Sequence, residues 1–457
     1  MILINPKFLP RKPGIYLVGG TVRDWMIGRP TADYDLAVTA DPAGVAESIA
    51  AAAGRRVVVM GKPGQCVYRI VAGSETYDVS AIQGKDITAD LLRRDFTINA
   101  MALNVKTEEI IDPAGGRKDL ADRLVRMVAP GAFDADPLRL LRAFRMAGVL
   151  EFSVEPQTLA AIARRPQKIA GIAGERIREE WLKLLETPDC TDLLWQMHQG
   201  GLLEALIPEL GDLRGCTQNQ HHRADAFEHT MEVCQGLEQI LHENAPALSS
   251  DRENRDLPAD PENLPLIKHA ALIHDLGKPR CKTADEHGGI HFYGHETKGA
   301  EMAREINQRM RFSNADSQYA VFLVKNHLRP LFLYLLHQKA KLRAETVSRF
   351  FMKTAPWTPD LLLLAAADMA GKKESGDSGF TEFARMLLAR YANEHMPAAR
   401  RPPLITGRDL IEVFGLEPSP RFARILRQVE EKRLAGSLEN REQALAFVKK
   451  NLEKSSG

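Results

Sequence analysis

What this sequence lacks narrows the field first. The longest apolar run in its 457 residues, Leu361 to Ala367, stops at Asp368, far short of the roughly 20 residues that a membrane-spanning helix needs. The first residues, Met1-Ile2-Leu3-Ile4-Asn5-Pro6, show no basic region, extended apolar core or cleavage site, so no secretion signal is expected. Cysteine is scarce: Cys66, Cys190, Cys216, Cys234 and Cys281 are odd in number, scattered and without a Cys-x-x-Cys pair. Reduced thiols in a cytoplasmic protein are the expected state. Net charge is nearly absent too, at +1, so the chain has no global polyanion footprint, although a local basic stripe can still hold RNA. There is no internal repeat and no sustained low-complexity tract. What is present, 44% hydrophobic and 26% charged residues, is ordinary globular composition, enough for two to four domains.

The most informative stretch is Leu17-Val18-Gly19-Gly20-Thr21-Val22-Arg23-Asp24, followed by Asp33-Tyr34-Asp35. An apolar strand, Ile15 to Val18, runs into two glycines and a helix start that carries Arg23. A second strand then presents Asp33 and Asp35, which alternation projects from one face. Two hard oxygen ligands side by side suit Mg²⁺, which completes its shell with water and substrate phosphates. Gly19 and Gly20 allow backbone N–H groups to approach an anion at a helix N-terminus. This is equipment for phosphoryl or nucleotidyl transfer. In this order and spacing it resembles the head of the class II nucleotidyltransferase superfamily, which contains the tRNA CCA-adding enzymes and bacterial poly(A) polymerases.

Two further strings fit. Leu92-Arg93-Arg94-Asp95-Phe96-Thr97-Ile98-Asn99-Ala100 sets adjacent arginines beside Asp95 and Asn99, and the guanidinium fork matches phosphate oxygens. It looks like the second motif of the superfamily, in which the residue corresponding to Arg94 contacts the nucleotide. Asp136-Pro137-Leu138-Arg139-Leu140-Leu141-Arg142-Ala143-Phe144-Arg145 reads as a helix with Pro137 in its first turn and Asp136 at or near the cap. Asp136, Arg139 and Arg142 share a face, with Arg145 one step further on. The resemblance implies that Asp136 and Arg139 act as a protein template for the incoming base while the other arginines take phosphates. Two departures stand out: Ala135 replaces a usual Glu, and Met146 follows Arg145 where Phe is usual. The same resemblance implies Mg²⁺ on Asp33 and Asp35, with Asp78 in the strand-like Tyr77-Asp78-Val79 as a third carboxylate. The reaction is then attack of an RNA 3′-hydroxyl with loss of pyrophosphate.

Only fourteen residues, Val79 to Leu92, separate Asp78 from Arg93. Family members that add the terminal A carry a longer segment there, so the shortening resembles the CC-adding subgroup. The expected activity is addition of CMP residues from CTP to the tRNA 3′ end. Full CCA addition with CTP and ATP, and poly(A) polymerisation, stay open as alternatives.

The second half carries another chemistry. His229 in FEHT, His274-Asp275 in ALIHDLGK and Asp368 in AAADMA have the order of the HD phosphohydrolase superfamily, with His295 and His327 fitting its additional histidines. Imidazole and carboxylate ligands suit Ni²⁺, Mn²⁺ or Co²⁺ and can activate water toward a phosphoester. Two readings compete with the transferase: hydrolysis of RNA ends or nucleotides as the main activity, and a non-catalytic RNA-binding module. Arg421, Arg424 and Arg427 form a basic stripe on a later helix, read mainly as a solvated face.

The expected fold is α+β. A mixed α/β, polymerase-beta-like head spans residues 1–130, with strands at Arg56 to Met60, Cys66 to Val71 and Thr76 to Val79. A helical neck (131–212), an HD domain (213–372) and a helical tail (373–457) follow, with helices at Arg176 to Leu185, Glu228 to Leu241 and Lys298 to Met310. Asn244 to Pro265 is expected to be a loop, with further breaks at Gly371 to Gly379 and Pro397 to Pro403.

Overall fold

The computed structural model describes residues 7–61, 66–217, 225–243, 261–371 and 378–453. It divides into two compact units, Met1–Leu206 and Ile207–Gly457. The expected α+β organisation is what it shows: a mixed-sheet head, then a helical body.

The first unit is built on a seven-stranded sheet. In chain order its strands are β1 (Ile15–Val18), β2 (Asp33–Val38), β3 (Val58–Met60), β4 (Val67–Ala72), β5 (Glu75–Ala81), β6 (Ala102–Asn104) and β7 (Ile110–Ile111). In space they run β3-β4-β5-β2-β1-β6-β7. Only β2 and β5 pair in parallel; every other neighbouring pair is antiparallel. Alternation sorts β2 and β5 cleanly. Tyr34, Leu36, Tyr77 and Val79 are buried on one face, where Tyr34 and Tyr77 stack with ring centroids 5.1 Å apart, a geometry that adds to their area burial. The intervening aspartates are left to the other face. Helices Arg139–Leu150 and Gly174–Leu185 pack together beyond the sheet, sealed by Leu141, Phe144, Trp181 and Leu184.

In the second unit, helix Ala226–Glu243 packs on Leu264–Ile273 and Thr358–Ala370, and His295–Arg309 packs on Asn314–Asn326. The run Leu361–Ala367 is wholly buried, so it is core. No helix among the described residues is long and apolar enough to cross a membrane. The tail has its own core of Ile405, Leu410, Ile425, Val429, Leu438, Ala444 and Val448.

Some expectations need correcting. The part expected to be all-helical also holds short strands: Ser153–Val154, which pairs with Leu124–Val125 of the head, and the ladder of Thr283–Ala284 with Ile290–His291. The helix after Asp136 begins at Arg139, two residues late, because Asp136 is extended and Pro137 and Leu138 form a tight lead-in turn. Most of the loop expected at Asn244 to Pro265 lies outside the described residues. Its end does not behave as a loop: Pro261–Asn263 is a 3₁₀ turn and Pro265 sits in the first turn of helix Leu264–Ile273, where a missing N–H costs nothing. Residues 372–377 of the next break are likewise outside the described residues, and Gly379 lies within helix Ser378–Arg390. Pro397 opens the short helix Met396–Ala399, so the last linker is shorter than expected.

Candidate active site and metal centre

In the head, register converts sequence spacing into a cluster. Asp35 pairs with Asp78 across the parallel β2–β5 ladder, and Asp33 lies two residues up the same face. Thr21, fully buried at the start of helix Gly20–Met26, fastens the glycine turn to β2: its hydroxyl donates to the Asp33 carbonyl and accepts from the Asp35 N–H, both at 3.0 Å. Gly19 has φ +67°, a conformation that favours glycine, and a Cβ there would sit 2.8 Å from Arg94 Nη1 and displace that guanidinium. The Asp35 carboxyl is raised above its usual range. Loss of hydration against the surrounding cavity wall is the main cause, although the residue stays exposed at the strand face, and Asp78 and Asp33 add to it against Arg94 and Arg23. Asp78 is already gripped by Arg69, with Nε–Oδ1 2.8 Å and Nη2–Oδ2 2.6 Å.

Beside this edge lies a cavity of about 360 Å³ lined by Gly19, Gly20, Arg23, Asp35, Arg94, Asp95, Asn99, Arg139, Arg142, Arg145 and Met146. Ten residues singled out from the sequence therefore share one wall, whereas Asp33, Asp78 and Asp136 stand outside it. The cations are held in place. Arg94 Nη2 donates to Asp90 Oδ2 at 3.1 Å, and Arg23 forks onto Asp24 and donates to Asn99 Oδ1 at 2.6 Å. Asn99 donates in turn to Asp95, which also receives Arg142. Glu180 accepts from both Arg142 and Arg145, at 3.0 and 2.5 Å.

Asp136 and Arg139 are also engaged. The Asp136 carboxylate accepts from Arg176 at 2.8 Å and from the Leu138 N–H. Burial opposes that charge, yet these donors hold the pKa below its usual range. Arg139 donates to the carbonyls of Arg93, Arg94 and Ala132.

The second unit gathers every singled-out histidine and carboxylate of its half. His229 Nε2 lies 3.0 Å from Asp368 Oδ1 and 3.7 Å from Asp275 Oδ2. His274 Nε2 is 3.1 Å from Asp275 Oδ2. On the other side, Asp275 Oδ1 is 3.3 Å from His295 Nε2 and 3.8 Å from His327 Nε2, and those two nitrogens are 3.3 Å apart. Asp275 thus joins two three-residue groups with metal-binding spacing, His229/His274/Asp275 and Asp275/His295/His327. All six residues are buried.

Two facts suit this cluster to holding a metal ion. His274 Nε2 and Asp275 Oδ2 are buried 3.1 Å apart without hydrogen-bonding geometry toward each other; Lys278 Nζ stands 2.6 Å from Asp275 Oδ2, which leaves His274 Nε2 as the atom that a metal ion would satisfy. The Nδ1 atoms of His274, His295 and His327 meanwhile face the carbonyls of Ala271, Phe292 and Val324 at 2.6–2.8 Å, which turns each Nε2 inward as a ligand. Burial works against protonation of His274, but Asp275 and Asp368 outweigh it and raise its pKa. Asp275 is held far below the carboxylate range despite burial, by His274 and Lys278. Burial and His274 push His327 down to about 3.

Sequence reasoning did not find Arg69, Asp90, Arg176 and Glu180, which hold Asp78, Arg94, Asp136 and the helix arginines. Asp90 had a usable signal, the i,i+4 spacing to Arg94. The others act across 9, 40 and 35 or more residues of sequence, where spacing carries no information.

Comparison with known proteins covers almost the whole chain. Residues 15–126 match the profile of the poly A polymerase head domain, and 151–213 that of a probable RNA- and SrmB-binding site of polymerase A. Residues 226–368 match the HD domain and 373–448 a putative tRNA nucleotidyltransferase domain 2. An A-adding tRNA nucleotidyltransferase of Deinococcus radiodurans is 35% identical over 99% of each chain. A CC-adding tRNA nucleotidyltransferase of Thermus thermophilus is 31% identical over 97% of this chain and 94% of its own. A multifunctional CCA protein of Actinobacillus pleuropneumoniae is 32% identical over 78% and 85%. Among solved structures, the Thermotoga maritima CCA-adding enzyme complexed with tRNA superposes with a TM-score of 0.63 at 20% identity, covering 96% of this chain and 91% of its own. At that identity the likeness speaks for the fold.

Proposed function

The chain belongs to the tRNA nucleotidyltransferase family, enzymes that act on the CCA end of tRNA, and from that premise we propose that it is a partial adder, transferring CMP from CTP to the tRNA 3′ end. The observation that carries the partial-adder reading is the compactness of Val79 to Leu92. Strand β5 runs to Ala81, the Ile82 N–H donates to Val38, and Gln83 N–H to Asp90. Asp86 then caps helix Ile87–Leu91. These bonds tie down both ends of the segment and leave only the short bend through Gly84 and Lys85 between them, little length with which to reshape the base site between C and A.

In this reading the RNA 3′-oxygen attacks the nucleotide α-phosphorus and pyrophosphate leaves in line. Arg94, Arg142 and Arg145 take the phosphates, and Gly19 and Gly20 let backbone N–H groups approach them. Asp136 and Arg139 face the base edge by exchanging Arg176 and the Arg93 and Arg94 carbonyls for it. The oxygen donors Asp33 and Asp35 suit Mg²⁺, and Asp78 would join them by exchanging Arg69 for the ion; a cation there would offset the contribution of Asp33 and Asp78 to the raised pKa of Asp35. Mg²⁺ so held would lower the pKa of the attacking hydroxyl and neutralise the leaving group. The proposed division is head 1–130, neck 131–212, HD domain 213–372 and tail 373–457, in a cytoplasmic protein.

A second reading, addition of the terminal A, is favoured by the 35% identity to the Deinococcus A-adding enzyme across both full chains. The test is to offer tRNA ending before, within and after CC, with CTP or ATP alone, and sequence the products. C addition to the shorter substrates alone supports the CC reading. A single A on tRNA ending in CC without C addition to the shorter substrates transfers the proposal to the A-adding class, both additions together to the full CCA class, and long A tails to the polymerase class.

For the second unit we propose a transition-metal phosphohydrolase centre on His229, His274, Asp275 and Asp368, with His295 and His327 completing it; the mixed imidazole–carboxylate donors fit Ni²⁺, Mn²⁺ or Co²⁺.

A further inference from the structure

A cavity of about 630 Å³ opens in the second unit, away from the residues of the HD cluster. Its walls come from helices Ala344–Thr354, Pro420–Leu434 and Arg441–Glu453. Five cations line it: Arg343, Arg349, Arg421, Arg424 and Lys432. Against them stand two carboxylates, Glu345 and Glu431. A chain whose total charge is +1 thus concentrates an excess of three positive charges in one hollow, where low-dielectric walls focus the field.

The pairing within it is incomplete. Arg349 Nη2 meets Glu431 at 3.1 Å and Lys432 Nζ meets Glu345 at 3.5 Å. Arg343, Arg421 and Arg424 have no carboxylate within ion-pair distance among the described residues. The sequence pattern put Arg421, Arg424 and Arg427 on one helical stripe, but the structure splits it. Arg421 and Arg424 line the cavity, Arg427 does not, and Arg343 and Arg349 join from a different helix. An RNA backbone is met by cations spread along a face, whereas cations converging from two helices on a concavity suit a compact polyanion.

The rest of the lining is not phosphate-like. Phe447 forms part of the wall, with Lys432 Nζ 5.4 Å from its ring centroid. Ile425 and Val448 supply an apolar floor, and Gln428 and Asn451 bring amides able to read a polar edge. The volume falls within the range of small-ligand sites.

We propose that this cavity is a second nucleotide site, binding a nucleoside di- or triphosphate apart from the transfer reaction, its phosphates on Arg343, Arg421 and Arg424 and its base against Phe447. Equilibrium dialysis of the full chain with labelled ATP and CTP tests it. Arg94→Ala weakens the head site, so the remaining equivalent reports the cavity. That equivalent is expected to survive in Arg94→Ala and to weaken at least tenfold in Arg421→Ala/Arg424→Ala, with Arg343→Glu as an independent variant. All three positions are on the surface, and far-ultraviolet circular dichroism checks folding. A single equivalent, lost entirely with Arg94→Ala, overturns the proposal. So does inorganic tripolyphosphate competing as well as the nucleotide, which leaves a polyanion sink. A tenfold rise in the KM for tRNA in the arginine variants, with no second nucleotide equivalent, assigns the surface to RNA and overturns it too.

Discussion

At the residue scale, the head is organised around charges that are held before any substrate arrives. Asp35 shares a ladder rung with Asp78 and an edge with Asp33, so three carboxylates line one strip of sheet, with Asp78 held by Arg69 and Asp35 raised above its usual range. Removing one of these charges without changing the shape of its side chain isolates its role. Asp35→Asn is expected to cut nucleotide incorporation by at least roughly 100-fold, the scale for loss of a group that stabilises transition-state charge, while circular dichroism and melting stay as in the parent. Activity within a few-fold of the parent would remove Asp35 from the mechanism. Asp90 plays a different part: it touches no phosphate but fixes Arg94. Asp90→Ala lets that guanidinium wander, so steady-state kinetics should show the nucleotide KM rising about tenfold, a loss near 1.4 kcal/mol, with kcat little changed. A collapse of kcat at constant KM would instead make Asp90 part of the chemistry.

At the scale of elements, alternation and order were readable, and register and reach were not. Strand β1, the glycine turn and the Asp33/Asp35 face follow from an apolar run, two glycines and a period of two. His229, His274-Asp275 and Asp368 were recognisable because each sits in an apolar helical context that repeats a known order. The Asp35–Asp78 rung could not be read, since pairing partners 43 residues apart leave no mark on local pattern. Nor could the ladder Leu124–Val125 with Ser153–Val154, because two residues cannot show a period. The core helix Leu264–Ile273 makes a separate prediction. His269 on it is fully buried, Nε2 facing Asn307 Oδ1 at 2.9 Å and its ring stacked on Phe312. Burial outweighs that hydrogen bond and pushes its pKa down to about 4. A free histidine titrates near 6.5, so between pH 6.5 and 4 the unfolded chain takes up a proton that the folded chain refuses. Stability attached to neutral His269 is therefore complete above pH 6.5 and is lost as the pH falls toward 4, by a few kcal/mol at most. Chemical denaturation from pH 7 to 4.5 should show a shallower decline in His269→Gln than in the parent; identical slopes would show that His269 is not refused its proton.

For the whole molecule, each of the two candidate sites is built from residues of one unit. Every residue lining the head cavity beside Asp35 lies within Met1–Leu206, and the whole His/Asp cluster lies within Ile207–Gly457. A metal bound by the cluster is therefore expected to stabilise the unit that carries it by mass action, about 2.7 kcal/mol at a ligand concentration 100 times its Kd. Calorimetry of metal-stripped protein with and without Ni²⁺ should raise the melting of one transition only. Asp275→Asn, which removes the carboxylate common to both ligand groups, should abolish that rise while nucleotide incorporation by the head persists. Asp35→Asn should do the reverse, keeping the Ni²⁺ shift and losing incorporation. A shift that survives in Asp275→Asn, or a loss of incorporation in that variant, would mean that the metal acts elsewhere or that the units are coupled in function.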